Sequence, residues 1–254
     1  MPLIKHELPI LEYDTERTAV IMPNRGKPYS FPEKAVYAFL GDEVDIYAEK
    51  HGCEVIGEFE CVTKIFPIYR AIHNGHEICL RQAPLGSSAA VMLMDFLIGY
   101  GAKQIISTGS CGALLDFPEN EILVPTEALR DEGTSYHYLP PSRTVSLNPR
   151  AVTSIETALT ARSVKFEECK VWTTDGFFRE TPDMVRYRID EGCAAVDMEC
   201  AGLAACAQFR GAEFGQILFT ADSLANIEAH DARDWGAASF AIALELALDA
   251  VCEM

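Results

Sequence analysis

The chain has 254 residues, 49% of them hydrophobic and 23% charged, with a formal net charge of −17. That apolar content excludes an intrinsically disordered chain. The negative charge argues against a nucleic-acid partner, because phosphates are repelled; a small phosphate-bearing ligand needs a local cluster of cations and backbone N–H groups.

The nine cysteines are an odd number with no Cys-x-x-Cys pair, as expected of reduced, buried thiols in a cytoplasmic protein. The charged segment Met1–Pro9 is unlike a signal peptide, and no apolar run approaches the ~20 residues that span a bilayer, so no membrane partner is expected.

In chain order, the first strand is predicted at Thr18–Met22, ended by Pro23-Asn24-Arg25-Gly26-Lys27-Pro28, and Pro32–His51 reads as helical. Strands follow over Cys53–Ile68 and Ile78–Ala83. A helix is predicted from Ser88 to Tyr100, capped by Ser87 or Ser88 and stopped at Gly101. Gln104–Ser107 reads as a short buried strand, Glu121–Arg130 as another, and Asp131–Ser142 as a polar loop. Then come a helix over Pro149–Val164, a strand over Lys170–Thr174, a helix over Thr181–Gly192 and a strand over Ala194–Val196. Cys200–Phe209 is helical, Phe214–Thr220 a strand and Arg233–Val251 the last helix. This alternation implies an α/β fold with a mixed, mostly parallel sheet in a single domain over 1–254. Ligands in such sheets sit beyond the carboxyl ends of strands. The loops after Met22, Ala83, Ser107, Val196 and Thr220 therefore point to one cleft.

Four stretches there can carry chemistry. Thr108-Gly109-Ser110-Cys111-Gly112 is either a plain strand-to-loop turn or a backbone concavity for an anion, helped by the Ser110 hydroxyl. In Val196-Asp197-Met198-Glu199-Cys200-Ala201-Gly202, acidic residues open a helix, where they act as caps or where Glu199 accepts hydrogen bonds from two sugar hydroxyls. Asp222, at the end of an apolar strand, is a solvated turn residue or a general acid, with Arg233 eleven residues on to orient it. Phe177 and Phe178 are core residues or flat faces for a base, whose edge Arg179 and Glu180 can bond. Cys111 as a nucleophile has no local histidine. No G-x-G-x-x-G follows the first strand, which excludes a dinucleotide-binding dehydrogenase.

In their order and spacing these stretches resemble the nucleoside phosphorylase/uridine phosphorylase family, from Val20-Ile21-Met22-Pro23 to Arg233. The resemblance implies a three-layer αβα fold, no metal, no cofactor beyond inorganic phosphate as co-substrate, and homodimers or homohexamers built as trimers of dimers. It implies phosphorolysis of the N-glycosidic bond through an oxocarbenium-like sugar, giving free base and ribose 1-phosphate. Met198 and Glu199 match ribose-binding positions, Phe177 and Phe178 the base-stacking stretch, and Asp222 the residue that protonates a purine, helped by Arg233. His6 matches a histidine that reaches a neighbouring subunit's 5′-hydroxyl, and Lys64 an arginine that crosses a dimer interface to phosphate.

Two departures concern phosphate. The family's Gly-Asp-Pro-x-x-Arg loop is missing after the predicted first strand, where Asn24-Arg25-Gly26-Lys27-Pro28 stands, and Ser107 replaces an arginine. The expected phosphate site is then Gly109 and Ser110 with Arg25, Lys27 and Lys64, or Arg81, as compensating cations; failing them, water is the acceptor and the chain is a nucleosidase. A nucleoside-binding protein without turnover is a third reading. Asp222, and the lack of a Gln-x-Arg pair after the aromatic stretch, favour a purine over uridine.

Overall fold

A computed structural model describes residues 3–254. Two short strands, β1 (Leu3–Ile4) and β2 (Tyr13–Asp14), pair antiparallel outside the main sheet. The chain then enters a ten-stranded mixed sheet: β3 (Lys34–Phe39), β4 (Glu54–Glu60), β5 (Ile65–His73), β6 (His76–Gln82), β7 (Gln104–Ala113), β8 (Ile122–Asp131), β9 (Thr144–Ser146), β10 (Phe166–Thr174), β11 (Cys193–Asp197) and β12 (Glu213–Ser223). Six α-helices connect them among the described residues: α1 (Glu43–His51), α2 (Ser87–Gly99), α3 (Pro149–Ala161), α4 (Pro182–Asp190), α5 (Cys200–Arg210) and α6 (Phe240–Cys252). None is long and apolar enough to cross a membrane.

The expected α/β class holds, and the layers are helix, sheet, helix. α3 packs against α6 over one face of the sheet, and α2 against α5 over the other. The order is β11-β10-β8-β12-β7-β3-β6-β5-β4, with β9 on β8. Parallel pairs fill the centre, β3 with β6 and β7, and β7 with β12. Antiparallel pairs form the β4–β5–β6 edge. At the other end β11 returns to pair antiparallel with the end of β7, Ala195 opposite Ala113 and Val196 opposite Gly112. Five strands, β7-β12-β8-β10-β11, thus close on themselves.

Three element expectations are corrected. Thr18–Met22 is no strand: Val20 and Ile21 are exposed and pair with nothing in the sheet. The first sheet strand is β3, inside the segment predicted helical. Ala35, Val36, Tyr37 and Ala38 are all fully buried there, and a strand covered on both faces loses the alternation that would mark it. The loop that follows β3 is therefore Gly41-Asp42-Glu43, not the segment at 23–28.

The second correction is the glycine stretch. β7 runs through Thr108-Gly109-Ser110-Cys111-Gly112 as strand, so it is neither turn nor loop. A Cβ on Gly109 would lie 2.9 Å from the Phe39 Cβ, and one on Gly112 would lie 2.9 Å from Val196 and Leu224 side chains. These glycines permit close approach of neighbouring elements at the strand's end. Third, α6 begins at Phe240, after a short 3-10 turn, rather than at Arg233. The cap of α2 also differs, since Gly86 is its N-cap residue and neither serine caps it.

Between α2 and β7 the chain reverses at Gly101, whose φ is +131°. A Cβ there would stand 2.7 Å from the backbone oxygen of Phe31. Phe31 itself donates its N–H to the Tyr100 carbonyl at 2.9 Å, tying the N-terminal segment to this turn. Gly101→Ala combines disfavoured backbone geometry with this clash. It is expected to lower unfolding free energy by about 1–3 kcal/mol, read from the midpoint of urea denaturation.

Candidate active site

The carboxyl ends of β7, β10, β11 and β12 open onto one cavity of about 850 Å³. Met198 and Glu199 enter from the end of β11, Asp222 from β12, Gly109 and Ser110 from β7, and Phe177 to Glu180 from the turn after β10. Glu199 and Asp222 are 6% and 5% exposed and line the same space.

Asp197 sets the geometry of the β11–α5 junction. Its Oδ2 accepts the backbone N–H of Cys200 at 2.7 Å and of Glu199 at 3.2 Å, and its Oδ1 accepts the Thr173 hydroxyl at 2.7 Å. It satisfies free N–H groups at the helix start. Glu199, although at the N-cap position, makes no side-chain cap bond. Its Oε1 instead accepts the N–H of Gly86 at 2.6 Å, and the Ser87 hydroxyl donates to the Met198 carbonyl at 2.6 Å. The cap and the sugar-clamp readings of this stretch therefore divide between two residues: Asp197 caps, and Glu199 faces the cavity. Burial first, then the Asp197 carboxylate, raises the Glu199 pKa.

Asp222 is held by a residue that the sequence did not single out. His230 Nε2 lies 2.7 Å from Asp222 Oδ2. Arg233, expected as the helper, donates instead to the Phe117 carbonyl at 2.7 Å and pairs with Asp231 at 3.6 Å. Its left-handed backbone, φ 47°, belongs to a turn that aims the guanidinium toward the β7–β8 connection. Gly112 leaves room here too, since a Cβ on it would come within 3.3 Å of Asp222 Oδ1.

Phe177 and Phe178 form an edge-on pair, centroids 5.0 Å apart, in a 3-10 turn at the rim. Phe177 is 40% and Phe178 92% exposed, so neither is core. Arg179 is exposed and Glu180 half-buried. Burial pushes the Glu180 carboxyl up to about 7, the nearby Asp222 charge adds to this, and His230 opposes it. Beside this group a second hollow of about 460 Å³ shares Phe177, Phe178, Glu180, Asp222 and Trp235 with the cavity.

The expected phosphate cations are elsewhere in this chain. Arg25 and Lys27 line a separate hollow with Arg17 and Arg210. Lys64 sits over the Phe66 ring at 5.3 Å. Arg81 is fully buried over the same ring, donates to the Pro67 carbonyl, and has its pKa lowered by burial to about 10. His6 is exposed and accepts the Leu8 N–H on its Nδ1. Of the charged residues that line the cavity, five are carboxylic (Asp175, Glu180, Asp197, Glu199 and Asp222) and one is basic, Arg179. At the loop after β3, Gly41-Asp42 is followed by Glu43, with Ile46 where a Gly-Asp-Pro-x-x-Arg pattern has arginine. Ser107 stands opposite Gln216 in the β7–β12 ladder, and the Ser107 Oγ and Gln216 Oε1 are both buried and without protein partners among the described residues. The Cys111 thiol is buried and its pKa raised well above the usual range, which disfavours a nucleophile. Among the described residues no cluster of His, Cys, Asp or Glu is arranged to hold a metal.

Only the carboxyl-end loops of this site were legible in sequence. His230 and Trp235 follow β12 in an irregular segment without periodicity, and nothing in their spacing from Asp222 marks them.

A guanosine phosphorylase of Halorubrum lacusprofundi is 25% identical over 153 residues, which are 60% of this chain and 64% of that protein. Two solved structures share the fold. A purine nucleoside phosphorylase of Toxoplasma gondii has a TM-score of 0.76 at 18% identity, over 89% of this chain and 96% of that one. An AMP nucleosidase of Bacteroides thetaiotaomicron has a TM-score of 0.71 at 23% identity, over 87% and 88%. Residues 33–252, from the segment before β3 to the end of α6, match the family described as the phosphorylase superfamily, and the chain belongs to that family.

Proposed function

We propose that this protein cleaves the N-glycosidic bond of a purine nucleoside and that water takes the sugar. The observation that carries the reading is the placement of Glu199 and Asp222 in one cavity lined by five carboxylic side chains and a single arginine. In this reading Glu199 accepts hydrogen bonds from the ribose 2′- and 3′-hydroxyls, beside Met198. Asp222 protonates the purine as the bond to the anomeric carbon breaks, with Phe177 and Phe178 against the base and Glu180 at its edge.

The electrostatics favour a cationic transition state. The sugar gains positive charge as the base leaves, and acceptor oxygens of the carboxylic side chains that line the cavity stabilise it where it forms. A phosphate dianion meets one basic side chain, Arg179, among the charged residues that line this cavity. Gln216, neutral and with its Oε1 buried and unpartnered among the described residues, lines the cavity and can hold a water molecule there.

Phosphorolysis is the second reading. It is favoured by the guanosine phosphorylase relative and by Gly109 and the exposed Ser110 at the cavity wall. In that case the cation comes from Arg179 or from a neighbouring subunit's Lys64.

A panel of purine and pyrimidine nucleosides, assayed with and without phosphate, separates the readings by product. Free ribose formed without phosphate is the expected result; ribose 1-phosphate, formed only with phosphate, overturns the hydrolase. Asp222→Asn is expected to lower purine nucleoside cleavage by ~10²-fold or more, and an unchanged rate rejects its acid role. Glu199→Gln, which keeps the shape but replaces one acceptor oxygen with an amide donor, should lower kcat/KM roughly 10- to 100-fold.

The ligand-free site also has a pH signature. Glu180 keeps its proton to higher pH folded than unfolded, so its stabilising contribution is full at low pH and is lost as pH rises toward about 7. The melting temperature of the ligand-free protein should fall between pH 5 and 8, and fall less in Glu180→Gln.

A further inference from the structure

Asp222 poses a supply problem. Its side chain is 7% exposed at the inner wall of the cavity, and a bound nucleoside covers it further. A general acid that gives up its proton each turnover needs a route by which the proton returns. The contact that offers one is His230, whose Nε2 is 2.7 Å from Asp222 Oδ2 and whose side chain is 47% exposed.

The backbone holds His230 in place. Ser223 and Asp231 exchange backbone hydrogen bonds, Ser223 N to Asp231 O at 2.9 Å and the reverse at 3.1 Å. This bridge closes a loop and seats His230 one residue before it. The Trp235 ring lies 5.9 Å from the imidazole on one side. Of the other titratable groups nearby, Glu180 approaches from the turn after β10, while Asp231 and Arg233 pair with each other.

We propose that His230 is a positioning residue that relays protons from solvent to Asp222. The inference rests on the nucleoside-cleaving reading above. As the C–N bond breaks, its electron pair goes to the base, and the Asp222 O–H proton goes to a ring nitrogen of the base. Protonated His230 then gives its Nε2 proton to Asp222 Oδ2 and is left neutral. The neutral ring keeps its Nδ1 proton, and the vacated Nε2 takes up a proton from water through the exposed side of the imidazole, which restores the imidazolium. The water that attacks the sugar releases one proton, so each turnover balances. An arginine at this place would orient Asp222 but could not hand a proton on, because guanidinium stays charged at all working pH values. Histidine both orients and exchanges.

The test uses the full chain and two substrates: the purine nucleoside cleaved fastest among adenosine, guanosine and inosine, and its 7-methyl derivative. The methyl group already supplies the positive charge that protonation would give, so that leaving group needs no acid. His230→Gln keeps a hydrogen-bonding side chain beside Asp222 but cannot relay. It is expected to lose at least ~10-fold in kcat on the ordinary nucleoside, with KM little changed and the 7-methyl substrate cleaved at the wild-type rate. His230→Gly should show the same loss and regain activity with added imidazole, in proportion to imidazolium. Wild-type kcat in His230→Gln, equal losses on both substrates, or no rescue of a folded His230→Gly each overturns the relay. A wild-type protein that cleaves neither substrate overturns the nucleoside reading itself, and the relay with it.

Discussion

The Asp197 carboxylate is the interaction on which the site depends. By accepting N–H groups of Glu199 and Cys200 and the hydroxyl of Thr173, it turns the end of β11 directly into α5. Without that buried acceptor the first N–H groups of the helix would lack partners, at a cost of about 1–3 kcal/mol for each buried group. Glu199 is thereby released from capping and kept aimed at the cavity, with Gly86 bonded to its carboxylate. The burial that makes Asp197 effective also places a negative charge close to Glu199, so structural and functional carboxylates are coupled.

Close packing of strands is the second constraint. β11 reaches β7 only because Gly112 carries no side chain where Val196 passes, and Gly109 leaves the same room for Phe39 of β3. That closure gathers the ends of β7, β10, β11 and β12 around one cavity. It also explains why glycines that read as an anion-binding turn are strand residues. Their role is to let elements meet, and Ser110 between them is left facing the cavity.

Charge follows from this arrangement. The chain's net charge of −17 is not spread evenly with respect to function, because five carboxylic groups converge in a cavity whose one cation is the exposed Arg179. Arg25, Lys27 and Arg81, which stood as compensating cations for the family's missing phosphate arginine, are committed to other hollows or to the core.

The sequence by itself determined the class of fold and most strands and helices, and it singled out Glu199 and Asp222 as candidates because they emerge where apolar strands break into polar residues. It misplaced the first strand, because β3 is buried on both faces and gives no alternating pattern, while exposed Val20 and Ile21 imitate one. Only the tertiary structure decided that Asp197 caps while Glu199 faces the cavity, that His230 rather than Arg233 meets Asp222, and that the expected cations lie outside this chain's cavity. The physical reason is that a strand end specifies where a side chain emerges. Which partner it meets depends on turns of irregular backbone, such as the left-handed residues Arg233, Trp235 and Gly236, whose paths are set by packing against distant parts of the chain.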